Sequence, residues 1–466
     1  MTEKPRRSTF RSRLEDMISA LSADIINGKL QPGDFLPSEL TLVEQYQLSK
    51  NSVRKGLDKL LEQEMIEKVP RIGTRVVGTG ASSGITLKFG YYPTLMLEVN
   101  LSQLIALFRE RFPYIEVKMV PISESLLAAN PQEAMERDEL DLLTLNTHHF
   151  GVALDQGALP GMLEPLQPNA ETYPFLLQSF IQAGHVYVQP LTFSPIILCY
   201  NKHHFAEKKM PEPDSGWHWS DVQTAAKALT IKHERMGLFF HLQSNNRWPL
   251  FLLQNKVVFD RSPEGKLIVD NKRFRDAMQM SLRLFEGLNP EMPHMSENDS
   301  DSQLFFLQQK ASMIITSYYS LNHLRHAEFE YDLAPLPYLE EARTQLLTIG
   351  LSINRSSSNK AAAHTLLHYL VSNEAQQHIR QHSLSIPSSK PVAEWTGKEL
   401  LNRPSRFHMY RDIIPTFQTY SDMNITLSEL EIIKRNFKLY WARLEDFDSA
   451  FRKLEDELEA IAFTLD

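Results

Sequence analysis

The stretch Leu36–Val76, LPSELTLVEQYQLSKNSVRKGLDKLLEQEMIEKVPRIGTRV, leaves the start of this chain few ways to fold. Pro37-Ser38 closes an extended turn, and Ser38 stands where its hydroxyl can cap a short helix predicted over Glu39–Tyr46. Gln47-Leu48-Ser49 makes a tight turn, with Ser49 as the next N-cap. From Lys50 to Glu64 the apolar residues Val53, Leu57, Leu60 and Leu61 recur at helical spacing on one face. Lys50, Asn51, Ser52, Arg54 and Lys55 crowd the start of that helix. Two helices joined by a three-residue turn, the second with a basic, hydrogen-bonding first turn, form a helix-turn-helix. The second helix matches the width of a major groove and can bring its first turn to base edges and phosphates. Met65–Val69 and Thr74–Val77 predict two short strands turned by Pro70-Arg71-Ile72-Gly73, a wing with arginines on both sides.

With the run Ile26-Asn27-Gly28-Lys29-Leu30-Gln31-Pro32-Gly33-Asp34 before it, this stretch resembles the winged helix-turn-helix of the GntR family of bacterial transcription regulators. The resemblance covers about Phe10 to Val77. It rests on the I-x-G-x-L-x-P-G-D run, the L-P-S-E run, Ser49 with Ser52-Val53-Arg54, and the Gly73-Thr74 wing tip. It implies groove contacts from Lys50, Asn51, Ser52 and Arg54, and backbone or minor-groove contacts from Ser38, Arg71, Gly73 and Thr74. Two positions depart from the family. Leu40 and Lys50 stand where arginine is usual, and lysine lacks the planar fork that grips guanine with two hydrogen bonds. The operator is therefore expected to differ from the commoner ones.

Length and charge extend the picture. The 466 residues suffice for two or three domains with full cores. Residues 1–78 hold 13 Lys/Arg against 11 Asp/Glu, while the whole chain is −8. A basic head is steered toward DNA that an acidic body avoids. So modest an excess implies weak binding by one head, hence a homodimer presenting two. No apolar run approaches the eighteen or so residues of a membrane span. MTEKPRRSTFRSR lacks the apolar core of a secretory signal. The single Cys199 fits a reducing compartment, and a cytoplasmic location is expected.

Leu14, Met17, Ile18, Leu21 and Ile25 form the stripe of a first helix that Gly28 ends, and Gln31–Asp34 is turn chemistry. Gly78–Gly84 has linker composition. From Ile85 the texture becomes strand–helix–strand: strands at Ile85–Gly90, Ile115–Val120 and Leu140–Leu145, and a helix over Leu97–Arg111. That alternation predicts an α/β domain with a mostly parallel sheet, whose ligands bind in the crevice where strands end. Phe108–Val117 (F-x-x-x-F-P-x-I-x-V), Tyr200-Asn201-Lys202, Trp219-Ser220-Asp221-Val222 and Pro335-Leu336-Pro337 then recur in order. The run from Ile353 (I-N-x-x-S-x-N-K-x-A-A) and Asn373–Gln377 complete the series. The set resembles the type II periplasmic solute-binding proteins of the oligosaccharide class, which include maltose-binding protein. The implied chain is multidomain α/β: a winged head (1–77), a linker (78–84) and a bilobal body (85–466). Lobe 1 would take 85–189 and 336–375, lobe 2 190–333, and residues 376–466 would form helices packed on the lobes. Strands near Tyr187–Ser194 and Asp332–Pro337 would cross between lobes that close around a ligand.

Sugars present apolar faces and many hydroxyls, so aromatic platforms beside amide, carboxylate and arginine groups are sought. Tyr91 and Tyr92 follow the first strand, and Asn146 and His148 the third. Phe193 lies on the crossing strand. Asn246, Arg247 and Trp248 interrupt a lobe-2 segment resembling the site loop of maltose-binding protein. Tyr318 and Tyr319 follow another strand, Tyr319 where sugar-binding relatives often carry a stacking Trp. Trp219 reads as structural. His148-His149 and His203-His204 have no carboxylate–histidine spacing of a zinc site, and no cofactor motif or catalytic set stands out. The residues from Leu430 to Ile461 step by three and four, which fits a dimerising coiled coil or, preferably, two helices packed on the lobes and broken near Glu445–Asp448. The expected function is a DNA-binding regulator sensing a sugar or oligosaccharide, and not an enzyme. The alternatives are a non-sugar solute, a partner protein, or an aminotransferase-like body, for which no pyridoxal-lysine motif is found.

Overall fold

A computed structural model describes residues 10–26, 29–31, 33–62, 65–70, 72–77, 85–288 and 298–463. The expected linker, Gly28 and Arg71 lie outside the described residues.

The head forms as its sequence predicts. Ser38 Oγ accepts from Thr41 N at 3.1 Å and starts the helix Glu39–Tyr46, which Gln47 ends in the left-handed region at φ 52°. Ser49 Oγ accepts from Ser52 N at 3.2 Å at the start of the recognition helix Lys50–Glu62. Val53, Leu57 and Leu60 are buried, but Leu61 turns outward, because it sits one residue round from the apolar face. Gly56 lets the first helix, Phe10–Ile26, approach closely: a Cβ there would lie 3.2 Å from Leu14 Cδ1 and nearer still to Met17. Ile66–Val69 pairs antiparallel with Gly73–Val76, and Phe35 bridges to Arg75 at the wing's edge.

The body is organised on one ten-stranded sheet. Ile115–Pro121, Ile85–Tyr91 and Leu142–Asn146 run parallel, as β-α-β connections require. Beside them Thr344–Ile353 runs antiparallel to both Leu142–Asn146 and the long strand Gln189–Asn201. All 13 residues of that long strand are buried. Its first half belongs to lobe 1. Its second half pairs with Ala311–Ser317 and Tyr331–Ala334 of lobe 2. At about 3.3 Å per residue it is roughly 40 Å long, enough to serve both lobes. The other expected crossing, Asp332–Pro337, begins within lobe 2, pairing through Ala334 with the far half of the long strand. The return is made instead where Thr344 Oγ1 donates to Ile196 O at 2.6 Å.

Leu427–Trp441 and Phe447–Phe463 form a hairpin of helices. Phe437, Trp441, Phe447 and Phe451 enter the lobe-2 core against Trp248 and Phe274. The three-four periodicity thus serves internal packing. The N-terminus of the first of these helices reaches lobe 1, where Asp155 Oδ2 accepts from Leu427 N at 3.1 Å. The head also belongs to a larger packing unit. Its first helix lies against the recognition helix and against the lobe-1 helix Lys360–Leu370. One apolar cluster runs from Met17 and Val53 into Leu87 and Leu366. Among the described residues no helix is long and apolar enough to cross a membrane.

Candidate ligand cleft and nucleic-acid interface

The interlobe cleft is built from strand ends. Leu142–Asn146 delivers Asn146, whose Oδ1 accepts from His149 N at 2.8 Å and caps the helix Thr147–Asp155. That places Asn146, His148 and His149 on the lobe-1 wall. Tyr92 stands beside them, its hydroxyl 2.6 Å from His149 Nδ1 and accepting from Asn146 N at 3.0 Å. On lobe 2, Ala311–Ser317 ends at Ser317, which caps the turn carrying Tyr319. The loop His241–Arg247 supplies Asn246 and the buried Arg247. These walls, with Leu347–Ile349 of the return strand and Tyr420 and Lys434 of the C-terminal segment, enclose a cavity of about 660 Å³.

Tyr92, Asn146, His148, Asn246, Arg247 and Tyr319 all line that cavity. Four other expected ligand residues are in the cores instead. Tyr91 packs beside Phe89. Phe193 is enclosed by Tyr173, Phe175, Tyr410 and Phe417. Tyr318 donates its hydroxyl to Phe407 O at 2.8 Å, and Trp248 packs on Trp441 with centroids 5.6 Å apart. Alternation explains Tyr91 and Tyr92, which point opposite ways at a strand exit; Tyr318 and Tyr319 open a helical turn, where successive side chains diverge by roughly 100°. Sequence reasoning missed Glu98, Glu124, Asp299, Gln303, Tyr420 and Lys434. None belongs to a motif, and Tyr420 and Lys434 arrive from the far end of the chain.

Burial dominates the cleft's electrostatics. It pushes His149 down to about 3 and holds His148 and His241 below the ordinary imidazole range, so all three are neutral near pH 7. Arg247 donates Nε to Ile315 O at 3.3 Å and Nη1 to Asn246 O at 3.1 Å, with Nη2 3.7 Å from Asp299. Such a wall can grip a hydroxylated solute through many fixed donors and acceptors.

The head presents Lys50, Asn51 and Arg54 at the exposed first turn of the recognition helix. Arg54 Nε donates to Glu39 Oε2 at 3.0 Å, and Lys50 Nζ lies 4.0 Å from the same carboxylate. Ser52 points inward: it is buried, with its hydroxyl 2.6 Å from that of Ser49, and so shapes the turn. Ser38 and Gly73 are exposed and Thr74 is partly so. Leu40, in the place of the family's arginine, is 65% exposed.

Comparison with known proteins matches two regions. Residues 97–377, more than half of the chain, match the model of bacterial extracellular solute-binding proteins. Residues 14–76 match that of bacterial regulatory proteins of the gntR family. Two regulators of Escherichia coli strain K12 are similar in the head. YieP, an uncharacterized HTH-type transcriptional regulator, is 40% identical over 57 residues, 12% of this chain and 25% of its own length. MngR, the mannosyl-D-glycerate transport/metabolism system repressor, is 33% identical over 76 residues, 16% of this chain and 29% of its own. The chain thus spans between a quarter and a third of the curated relatives it matches. Solved structures cover the body. An ABC substrate-binding protein of Listeria monocytogenes in complex with cycloalternan is 16% identical, with a TM-score of 0.65 over 82% of this chain and 99% of that one. A solute-binding protein of Thermotoga lettingae bound with alpha-D-tagatose is 18% identical, with a TM-score of 0.67 over 82% and 100%. Maltose-bound MalE3 of T. maritima is 18% identical, with a TM-score of 0.66 over 81% and 100%. At these identities the likeness establishes the fold.

Proposed function

Because the chain belongs to the bacterial extracellular solute-binding protein family and carries a GntR-type head, we propose that it is a DNA-binding transcription regulator controlled by a sugar or oligosaccharide held between its lobes. The observation that carries this reading is the first helix, Phe10–Ile26. It packs on the recognition helix on one side and on lobe 1 on the other, so the DNA-reading surface rides on one jaw of the cleft. In this reading Lys50, Asn51 and Arg54 enter the groove, while Ser38, Gly73 and Thr74 meet the backbone. Asn146, Asn246 and Arg247 hydrogen-bond the solute, and Tyr92 and Tyr319 offer it apolar ring surface.

Closure would move the head with lobe 1 as a rigid unit relative to lobe 2. Two heads must meet half-sites about one helical turn apart, roughly 34 Å. In a dimer joined through anything but lobe 1, closure therefore changes that spacing and the operator affinity. The size of the effect is bounded by the solute's preference for the closed form.

The test selects DNA ligands of the purified protein from a random library, then titrates the selected duplex with and without a saccharide panel. One sequence family should emerge, and one saccharide should shift its affinity by about 5- to 150-fold. Selection of no sequence refutes the regulator. A selected sequence indifferent to every saccharide refutes the sensor.

A further inference from the structure

The cleft is richer in carboxylates than a neutral sugar requires. Glu98 and Glu124 on lobe 1 and Asp299 on lobe 2 line the same cavity. Burial, with a contribution from Glu124, pushes Glu98 up to about 7. Burial and then Asp299 push Glu124 above the usual carboxylate range. The cleft's cations already have partners within the protein. Lys434 Nζ donates to Asn245 Oδ1 at 2.5 Å and lies 3.4 Å from Glu431, and Arg247 is held by the backbone carbonyls and by Asp299. Among the described residues no lysine or arginine pairs with Glu98 or Glu124, and the buried imidazoles are neutral.

A second observation, independent of the acidic cluster, points to an occupant. Thr348 lies on the return strand at the floor of the cavity and is fully buried, yet its Oγ1 has no partner. Glu98 Oε2 and His148 Nδ1 are likewise buried without one. Buried polar atoms left unpaired are costly, so a solute supplying hydroxyls and a positive charge would relieve several at once. A phosphorylated or uronic sugar would instead set its anion against Glu98 and Glu124, which no lysine or arginine among the described residues offsets.

We propose that the cleft selects an amino sugar, whose ammonium group sits among Glu98, Glu124 and Asp299 while a hydroxyl pairs with Thr348. This rests on the carbohydrate-sensing reading and narrows it. An ammonium hydrogen-bonded to carboxylate is among the stronger polar contacts available, and it draws Glu98 back toward its ionised form.

The test is calorimetry on the full-length protein with matched amine and hydroxyl pairs: glucosamine and glucose, galactosamine and galactose, mannosamine and mannose, and the glucosamine disaccharide with cellobiose. Spermidine is included as an amine without a ring. At least one amino sugar should bind about tenfold or more tighter than its hydroxyl counterpart. Glu98→Gln and, separately, Glu124→Gln, in the first turn of the short helix Glu124–Ala129, should each narrow that ratio to about threefold or less. Neutral sugars binding as tightly as their amines would overturn the amino-sugar inference and leave carbohydrate sensing intact. Binding of spermidine alone, or of none of these probes, would overturn the amino-sugar inference, and the saccharide panel on the selected duplex then decides carbohydrate sensing separately.

Discussion

In the proposed function the head and the body of this chain recognise their partners by opposite geometries. The head reads an object larger than itself, so its contacts must project: Lys50, Asn51 and Arg54 follow one another along one exposed helical turn. The body encloses an object smaller than itself. Its cavity lining converges from Tyr92, Asn146, Arg247, Tyr319, Thr348 and Tyr420, spread over more than three hundred residues. A convex reader is contiguous in sequence and wet; a concave one is scattered and dry. The difference sets the energetics. Ion pairs on the head, such as Arg54 with Glu39, are exposed and exchange readily with phosphate. Charges in the cleft are desolvated and shift their protonation instead.

The contrast can be attacked at graded strength. Trp248→Ala should lower the stability of the body by about 3–5 kcal/mol in denaturant titration, as loss of a core indole against Trp441 does. A small stability change with a large loss of solute affinity would return Trp248 to the binding site. Glu98 offers the next effect. Its folded value of about 7 lies above the ordinary 4.5, so the fold disfavours the ionised carboxyl. The group's contribution to stability is then complete below the unfolded value and is lost as pH rises through the folded one. Between about pH 5 and pH 8 this removes up to roughly 3 kcal/mol, and Glu98→Gln should flatten that part of the profile. Equal slopes for wild type and variant would show that the group is not desolvated.

Arg54→Ala should weaken binding to the selected operator by about 1–3 kcal/mol in a gel-shift titration, with calorimetric solute affinity held. Operator affinity equal to wild type would remove Arg54 from the groove. Glu39→Gln is the mildest test. Freeing Lys50 and Arg54 from their shared carboxylate should strengthen DNA binding by at most about 1 kcal/mol, most visibly at low salt. Weaker binding would mean that Glu39 orients these side chains productively.

Legibility followed the same divide. The caps at Ser38 and Ser49, the turn at Gln47 and the wing all follow from interactions within a few residues, and the structure reproduces them. Ser52 turns its hydroxyl to Ser49, a rotamer choice that residue type does not reveal. In the body, strand ends were readable but side-chain direction was not. Tyr92 and Tyr319 line the cleft while Tyr91 and Tyr318 fill cores, and one residue of register separates the two fates.

Local chemistry in the sequence was enough to determine the winged head, the strand–helix alternation of the body and the positions where strands open toward the cleft. Such features depend on neighbours one to four residues away, whose spacing a linear string records directly. Only tertiary structure decided that Asp332–Pro337 begins in lobe 2, that the C-terminal helices complete its core, and that Glu98, Glu124 and Asp299 meet in one cavity. Those outcomes depend on contacts between segments tens to hundreds of residues apart, and burial then gives the carboxylates a charge state that their identities alone do not.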